Sequence, residues 1–161
     1  MPANTLVARF ALFQQDSNPG DDHDMGVLAP NGTWVYSGND GSVESVQVLN
    51  PAAGNYKVCV VGYGSNVPNM VHRLNSWVVS RADVNPRFVV AVPGKVVAGT
   101  NTTIGMSWSG LTEGKRYVGA AQFMDASGVV SATTVLRVDT GVAAIPAVTA
   151  EKAGIKEASV Q

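Results

Sequence analysis

Along most of the chain, apolar and polar positions alternate with a period of two. Clusters of Gly, Pro, Asn and Asp break the alternation about every 8–12 residues, the pattern of short strands joined by tight turns. Thr5 to Gln14 places Leu6, Ala8, Phe10 and Leu12 on one face and Val7, Arg9, Ala11 and Phe13 on the other. A polar loop follows from Gln15 to Asp22. Asp24 to Ala29 and Thr33 to Ser37 are expected to pair as a hairpin about Pro30-Asn31-Gly32. There proline fixes one dihedral and Asn-Gly tolerates positive φ. Gly38-Asn39-Asp40-Gly41 is the next turn, and Val43 to Leu49 the next alternating run. Asn50-Pro51-Ala52-Ala53-Gly54 ends that strand. Tyr56 to Tyr63 is the most apolar run and is expected at the centre of a sheet. Val71 to Ser80 closes the first half, with Leu74 and Trp77 as expected core anchors.

Arg81 to Pro86 reads as a short linker. Beyond it, strands are expected at Phe88 to Val92, Thr102 to Ser107, Lys115 to Met124 and Val129 to Val138. Asp125-Ala126-Ser127-Gly128 is the hairpin turn between the last two. No helical period extends over ten residues outside the tail. The predicted fold class is all-β. An antiparallel β-sandwich over residues 1–80 is followed by a smaller β-rich segment over 81–140, packed on it or forming a small second sandwich. The Ala-rich tail, 141–161, has few large apolar residues to bury and is expected to be disordered.

Composition narrows the function classes. The chain has 161 residues, 45% hydrophobic and only 14% charged, against about 25% charged in an average globular domain. With a net charge of -1 and its basic residues scattered, it offers no footprint for nucleic acid. No apolar run approaches the roughly 20 residues of a spanning helix, and no N-terminal stretch reads as a signal peptide. Met1 runs at once into strand-like sequence, as expected of a fragment or a mature domain. The single cysteine, Cys59, cannot form an internal disulfide and reads as a small apolar residue inside a strand.

Catalytic constellations are thin, and no catalytic residue is assigned. His23 and His72 are the only histidines. The nucleophile-elbow pattern G-x-S-x-G is absent, and the nearest stretch, Gly62-Tyr63-Gly64-Ser65-Asn66, misses its spacing. Metalloprotease, phosphate-loop and dinucleotide motifs are missing too. The densest polar cluster runs from Asp16 to Asp24. Asp16, Asn18, Asp21, Asp22 and Asp24 are the oxygen ligands a Ca²⁺ ion would take, with Asp40 and Glu44 as further contributors if their turn lies near. The plainer reading is a solvated acidic loop joining two strands. Trp34 and Tyr36 share parity on one strand, so their rings lie on one face. That face either binds a ligand such as a sugar ring or belongs to the core.

Two stretches carry a resemblance. Asp22-His23-Asp24-Met25-Gly26-Val27-Leu28-Ala29-Pro30-Asn31-Gly32 looks like D-x-D-L-Y-V-x-x-P-x-G. The run from Val46 through Asn50-Pro51-Ala52-Ala53-Gly54-Asn55-Tyr56-Lys57-Val58 resembles V-x-x-x-N-P-x-A-G-x-Y-x-V. Together they are similar to the bacterial pre-peptidase C-terminal domain of secreted subtilisin-like proteases, over Thr5 to Ser80. A weaker likeness at Trp108-Ser109-Gly110-Leu111 suggests the β-rich extension that follows it in such proteases. The resemblance implies a jelly-roll-like sandwich and a secreted, extracellular protein. It also implies a non-catalytic accessory domain that aids secretion or maturation or binds substrate, beside a protease catalytic domain in the same precursor. Some relatives bind calcium. Met25 and Gly26 depart from the pattern, which has Leu and Tyr there. The alternative is a carbohydrate-binding module or lectin-like domain of a secreted enzyme, so the expected substrate is protein or polysaccharide. Rings of Trp34 and Tyr36 standing exposed would favour sugar, and rings buried would favour the protease setting.

Overall fold

In the computed structural model, which describes residues 1–65, 69–94, 96–97 and 99–141, alternation and turn chemistry produce an all-β chain. Ten strands lie among these residues: β1 (Thr5–Ala11), β2 (Asp22–Leu28), β3 (Trp34–Ser37), β4 (Ser45–Leu49), β5 (Lys57–Gly64), β6 (Asn75–Ser80), β7 (Phe88–Ala91), β8 (Gly105–Trp108), β9 (Arg116–Met124) and β10 (Val130–Asp139). A 3-10 turn at Gln14–Asp16 is the one helical element among them. The expectation for the tail falls on 142–161, outside the described residues.

Two three-stranded antiparallel sheets, ordered β4-β1-β6 and β3-β2-β5, pack face to face in a sandwich-like body. Ala8, Phe10 and Val46 of the first sheet meet Met25 and Val27 of the second, with Tyr56 and Val58 at the margin. The β9-β10 hairpin covers the opposite face of β1. Leu6 and Val7 form a second core there with Val135, flanked by Val79, Val118 and Ala120. Every residue of β1 is therefore buried, including Arg9. The second set of strands takes the packed arrangement: β9 lies against β1 and β6, while β7 and β8 pair as a separate two-stranded ribbon.

The apolar run at 57–64 does not sit at the centre of its sheet. Among the described residues β5 pairs only with β2, and Val61 and Tyr63 are exposed. Leu74 is also exposed rather than a core anchor. Trp77 is half-buried, donating from Nε1 to the Arg116 carbonyl at 3.2 Å. Cys59 stands exposed on the outer face of β5. The two stretches that carry the resemblance touch. Gly54, at φ 132, lies so close to Pro30 that a Cβ there would meet the proline ring at 2.9 Å.

Candidate functional site

The five acidic-loop residues do not converge. Asp16 turns toward the hairpin layer, where it accepts a hydrogen bond from Arg116 Nη1 at 2.8 Å and lies 3.7 Å from Arg73. Arg116 also lies over the Phe13 ring, 3.7 Å from its centroid, so this carboxylate anchors an interlayer contact. Asn18 uses its amide N–H to reach the Asn69 carbonyl at 3.0 Å. Asp21 is fully buried, and Ser65 Oγ and the Val71 N–H donate to its carboxylate. Those donors, the Ser65 hydroxyl foremost, hold the Asp21 carboxyl below the ordinary aspartate range against the opposing effect of burial. Asp22 and Asp24 share parity on β2, and neither carboxylate makes a hydrogen bond among the described residues. Among those residues, no three His, Cys, Asp or Glu side chains are grouped to hold a metal ion. Glu44, fully buried, instead accepts from Ser37 Oγ, Asn39 Nδ2 and, at 2.7 Å, the Asn39 N–H, and so fixes the turn after β3.

Beside Asp21, His23 and Ser42 come within 2.8 Å of each other, an approach between residues 19 positions apart that local pattern does not signal. Ser42 Oγ donates to the Asp21 carbonyl at 2.8 Å, so it accepts from His23 Nδ1. The Asp21 carboxylate bonds Ser65 rather than His23, and Ser42 has no exposed surface. A hydroxyl whose proton already points at a carbonyl, away from solvent, is a structural hydrogen-bonding group and not an activated nucleophile.

The outer face of β3-β2-β5 is organised differently. Met25 and Val27 fill the core, so Asp24, Gly26 and Leu28 point outward. Across the ladders, Gly26 faces Tyr36 on one side and Cys59 on the other, and Leu28 faces Trp34. The Trp34 and Tyr36 rings lie nearly parallel, 14° apart with centroids at 5.5 Å. They stay 39% and 72% exposed, so they do not belong to the core. A Cβ added to Gly26 would stand 3.1 Å from Trp34 and 3.2 Å from Tyr36. Gly26 is thus the floor on which both rings rest, a close approach that a larger residue would obstruct. This accounts for the departure from the resembled pattern at Gly26.

A shallow concavity of about 350 Å³ opens beside the rings, lined by Asp24, Gly26, Trp34, Tyr36, Cys59 and Val61. A carboxylate with no hydrogen bond among the described residues thus borders a pair of exposed aromatic rings. A larger cavity of about 790 Å³ lies between β6, the β7-β8 ribbon and β9-β10. Three of its polar side chains are already engaged: Asp83 accepts from the Ser80 N–H, Arg81 donates to Asn50, and Arg87 donates to the Gly110 carbonyl. The smaller concavity is the better candidate site, because its Asp24 carboxylate makes no hydrogen bond among the described residues. No helix among the described residues is long and apolar enough to cross a membrane. No protein-family model matches the sequence, and neither a curated protein nor a solved structure gives a significant match.

Proposed function

We propose that the chain is a non-catalytic accessory domain of a secreted protein that binds carbohydrate on the outer face of β3-β2-β5. The observation that carries this reading is the exposed Trp34–Tyr36 pair resting on Gly26. The C–H face of a sugar ring packs on an aromatic face, and the Asp24 carboxylate that lines the concavity accepts from the sugar hydroxyls. Secretion and a hydrolase partner in the same precursor come from the motif resemblance alone. In that setting the domain holds the substrate while another domain cleaves it. Exposed Val61 and Tyr63 extend the face with apolar surface and favour a second reading, a protein substrate gripped for a protease domain.

Isothermal titration against soluble cello-, xylo- and chito-oligosaccharides tests the first reading, with casein and collagen fragments as the protein arm. Binding of one oligosaccharide series is expected. Trp34→Ala and Tyr36→Ala should each weaken it by about tenfold, the loss of one stacking contact of about 1.4 kcal/mol. Gly26→Val should do the same by displacing both rings without removing either. No oligosaccharide binding, with protein binding lost in Tyr36→Ala, would transfer the site to the second reading. Binding unchanged by all three variants would exclude this face.

A further inference from the structure

At the start of β2 the sandwich holds a buried nitrogen that the packing leaves unused. His23 shares parity with Met25, so its ring turns inward, and the residue is only 1% exposed. Its Nδ1–H is donated to Ser42 Oγ, which donates in turn to the Asp21 carbonyl, both at 2.8 Å. In the neutral ring Nε2 is then the acceptor. That Nε2 is buried and has no hydrogen-bond partner among the described residues. A buried acceptor in this condition costs free energy unless something binds it.

Two further side chains converge on this ring from the segment before β6. His72, exposed, meets it edge-on, with centroids 5.1 Å apart and planes at 66°. Met70, half-buried, reaches the same place. Gly62 of β5 is directly opposite His23, and the Met70 sulfur occupies the space that a Cβ on Gly62 would take. Opposed Cβ positions lie about 4.5–5.5 Å apart, so the thioether stands about that far from the His23 Cβ. The residue between the two, Val71, donates its N–H to Asp21 Oδ2 at 3.3 Å. Asp21 therefore steadies the His23 ring through its carbonyl and Ser42, and the segment bearing Met70 and His72 through its carboxylate.

We propose that His23, Met70 and His72 form a binding site for a copper(I) ion at the start of β2. A metal bound at about 2.0 Å from one nitrogen of each imidazole would stand about 3.2 Å from each ring centroid. The 5.1 Å between the centroids then gives an angle of about 105–110° at the metal, close to tetrahedral. No third imidazole, thiol or carboxylate is grouped with the two rings among the described residues, so the Met70 thioether completes the set. A thioether is a soft ligand, and beside imidazole it selects copper(I) over zinc or calcium. The Nδ1–H bond to Ser42 orients the His23 ring, as a partner outside the ligand set does in metal sites. Exposed His72 and Gly62 open the site to solvent, so the ion enters without disturbing the core. The site lies on the inward side of β3-β2-β5, whereas the aromatic rings lie on the outward side, and the inference does not depend on sugar binding.

Anaerobic titration of the full chain with copper(I), in competition with a chromophoric chelator, tests it. Every sample carries Cys59→Ser, because that exposed thiol is itself a soft ligand on the other side of the sheet. One equivalent of copper(I) should bind. Met70→Leu and His72→Ala should each weaken binding by at least about tenfold, the loss that even a partner outside the ligand set can cause. The first substitution conserves volume and the second is at an exposed position, so the fold survives both. Silver(I), a redox-inert stand-in, should shift the Met70 methyl and His23 Nε2 resonances together, which reports on His23 without substituting a buried residue. Zinc affinity should be unchanged by Met70→Leu. No copper(I) binding in the competition, or binding equal in the parent chain and either variant, would overturn the site. So would a His23 Nε2 resonance that silver(I) leaves in place. Equal losses of zinc and copper(I) affinity in Met70→Leu would overturn the thioether as a ligand and the choice of copper with it.

Discussion

The two sheets of this molecule present opposite outward faces. The outer face of β4-β1-β6 is covered by a hairpin that buries Leu6 and Val7. The outer face of β3-β2-β5 is covered by nothing among the described residues, yet it carries Trp34, Tyr36, Val61 and Tyr63. Both faces are apolar, so hydrophobicity by itself does not tell a layer contact from a binding surface. What differs is ring size and support. The covered face uses branched aliphatic side chains that interdigitate with Val118, Ala120 and Val135. The bare face uses large rings over a glycine, a geometry that exposes a flat aromatic surface while keeping the rings in place.

The sharpest way to break this comparison is to truncate one residue on each face. Leu6→Ala removes a side chain that is 5% exposed and should cost about 2–5 kcal/mol in urea unfolding. Val61→Ala, at a position 54% exposed, should change stability by less than about 0.5 kcal/mol. Equal losses would mean that the outer face of β3-β2-β5 is covered in solution, by a second copy or by another part of the chain, and that its rings are not available to a ligand.

Much of this architecture was legible in the sequence, because alternation and turn residues act locally. Pro30-Asn31-Gly32 joins β2 to β3 as expected, with Gly32 at φ 84, and Asp125 to Gly128 joins β9 to β10. Position within a sheet was not legible. The 57–64 run is apolar on both sides, as a central strand would be, but its outward side chains, Cys59, Val61 and Tyr63, face no second layer among the described residues. Whether a face is covered depends on strands far away in the chain, and no local pattern encodes that. The aromatic pair was readable from parity alone, whereas its exposure and its glycine floor needed the pairing of β2 with β3. The Asp21–His23–Ser42–Ser65 cluster went unread for the same reason, since its hydrogen bonds link residues up to 44 positions apart.

That cluster sets a second, smaller test at the end of the sandwich. Asp21 has its pKa lowered below the ordinary 3.8, first by the Ser65 hydroxyl. As pH falls, the unfolded chain takes up this proton before the folded one does. The contribution of Asp21 is therefore complete above the unfolded value, near pH 4, and is lost as pH drops through the folded value. Melting temperature should decline between pH 5 and pH 3, and Asp21→Asn should decline less steeply, starting from a lower midpoint at pH 7. The slope will not vanish, because Asp125 is also held low, chiefly by the Ser127 hydroxyl. Parallel slopes for the wild type and Asp21→Asn would show that the carboxylate is not held in this network.

The smallest effect is expected from calcium. An ion that binds only the folded state stabilises by RT ln(1 + [L]/Kd), about 2.7 kcal/mol at a hundredfold excess over Kd, which several degrees of melting temperature would report. To use Asp16, the ion would have to displace Arg116 at 2.8 Å, and to use Asp21 it would have to displace Ser65 and the Val71 N–H. Asn18 has turned its amide to the Asn69 carbonyl. Asp22 and Asp24 remain, two positions apart on one strand and so about 6.5–7 Å from each other along it. Two carboxylates at that spacing fall well short of the six to eight oxygens that calcium takes. Melting curves in millimolar calcium and in chelator should therefore coincide to within about 1 °C. A calcium-dependent rise of several degrees, erased by the double change Asp21→Ala and Asp22→Ala, would show that the loop before β2 rearranges around the ion. The acidic side of the bare sheet would then be a second ligand site beside the aromatic one.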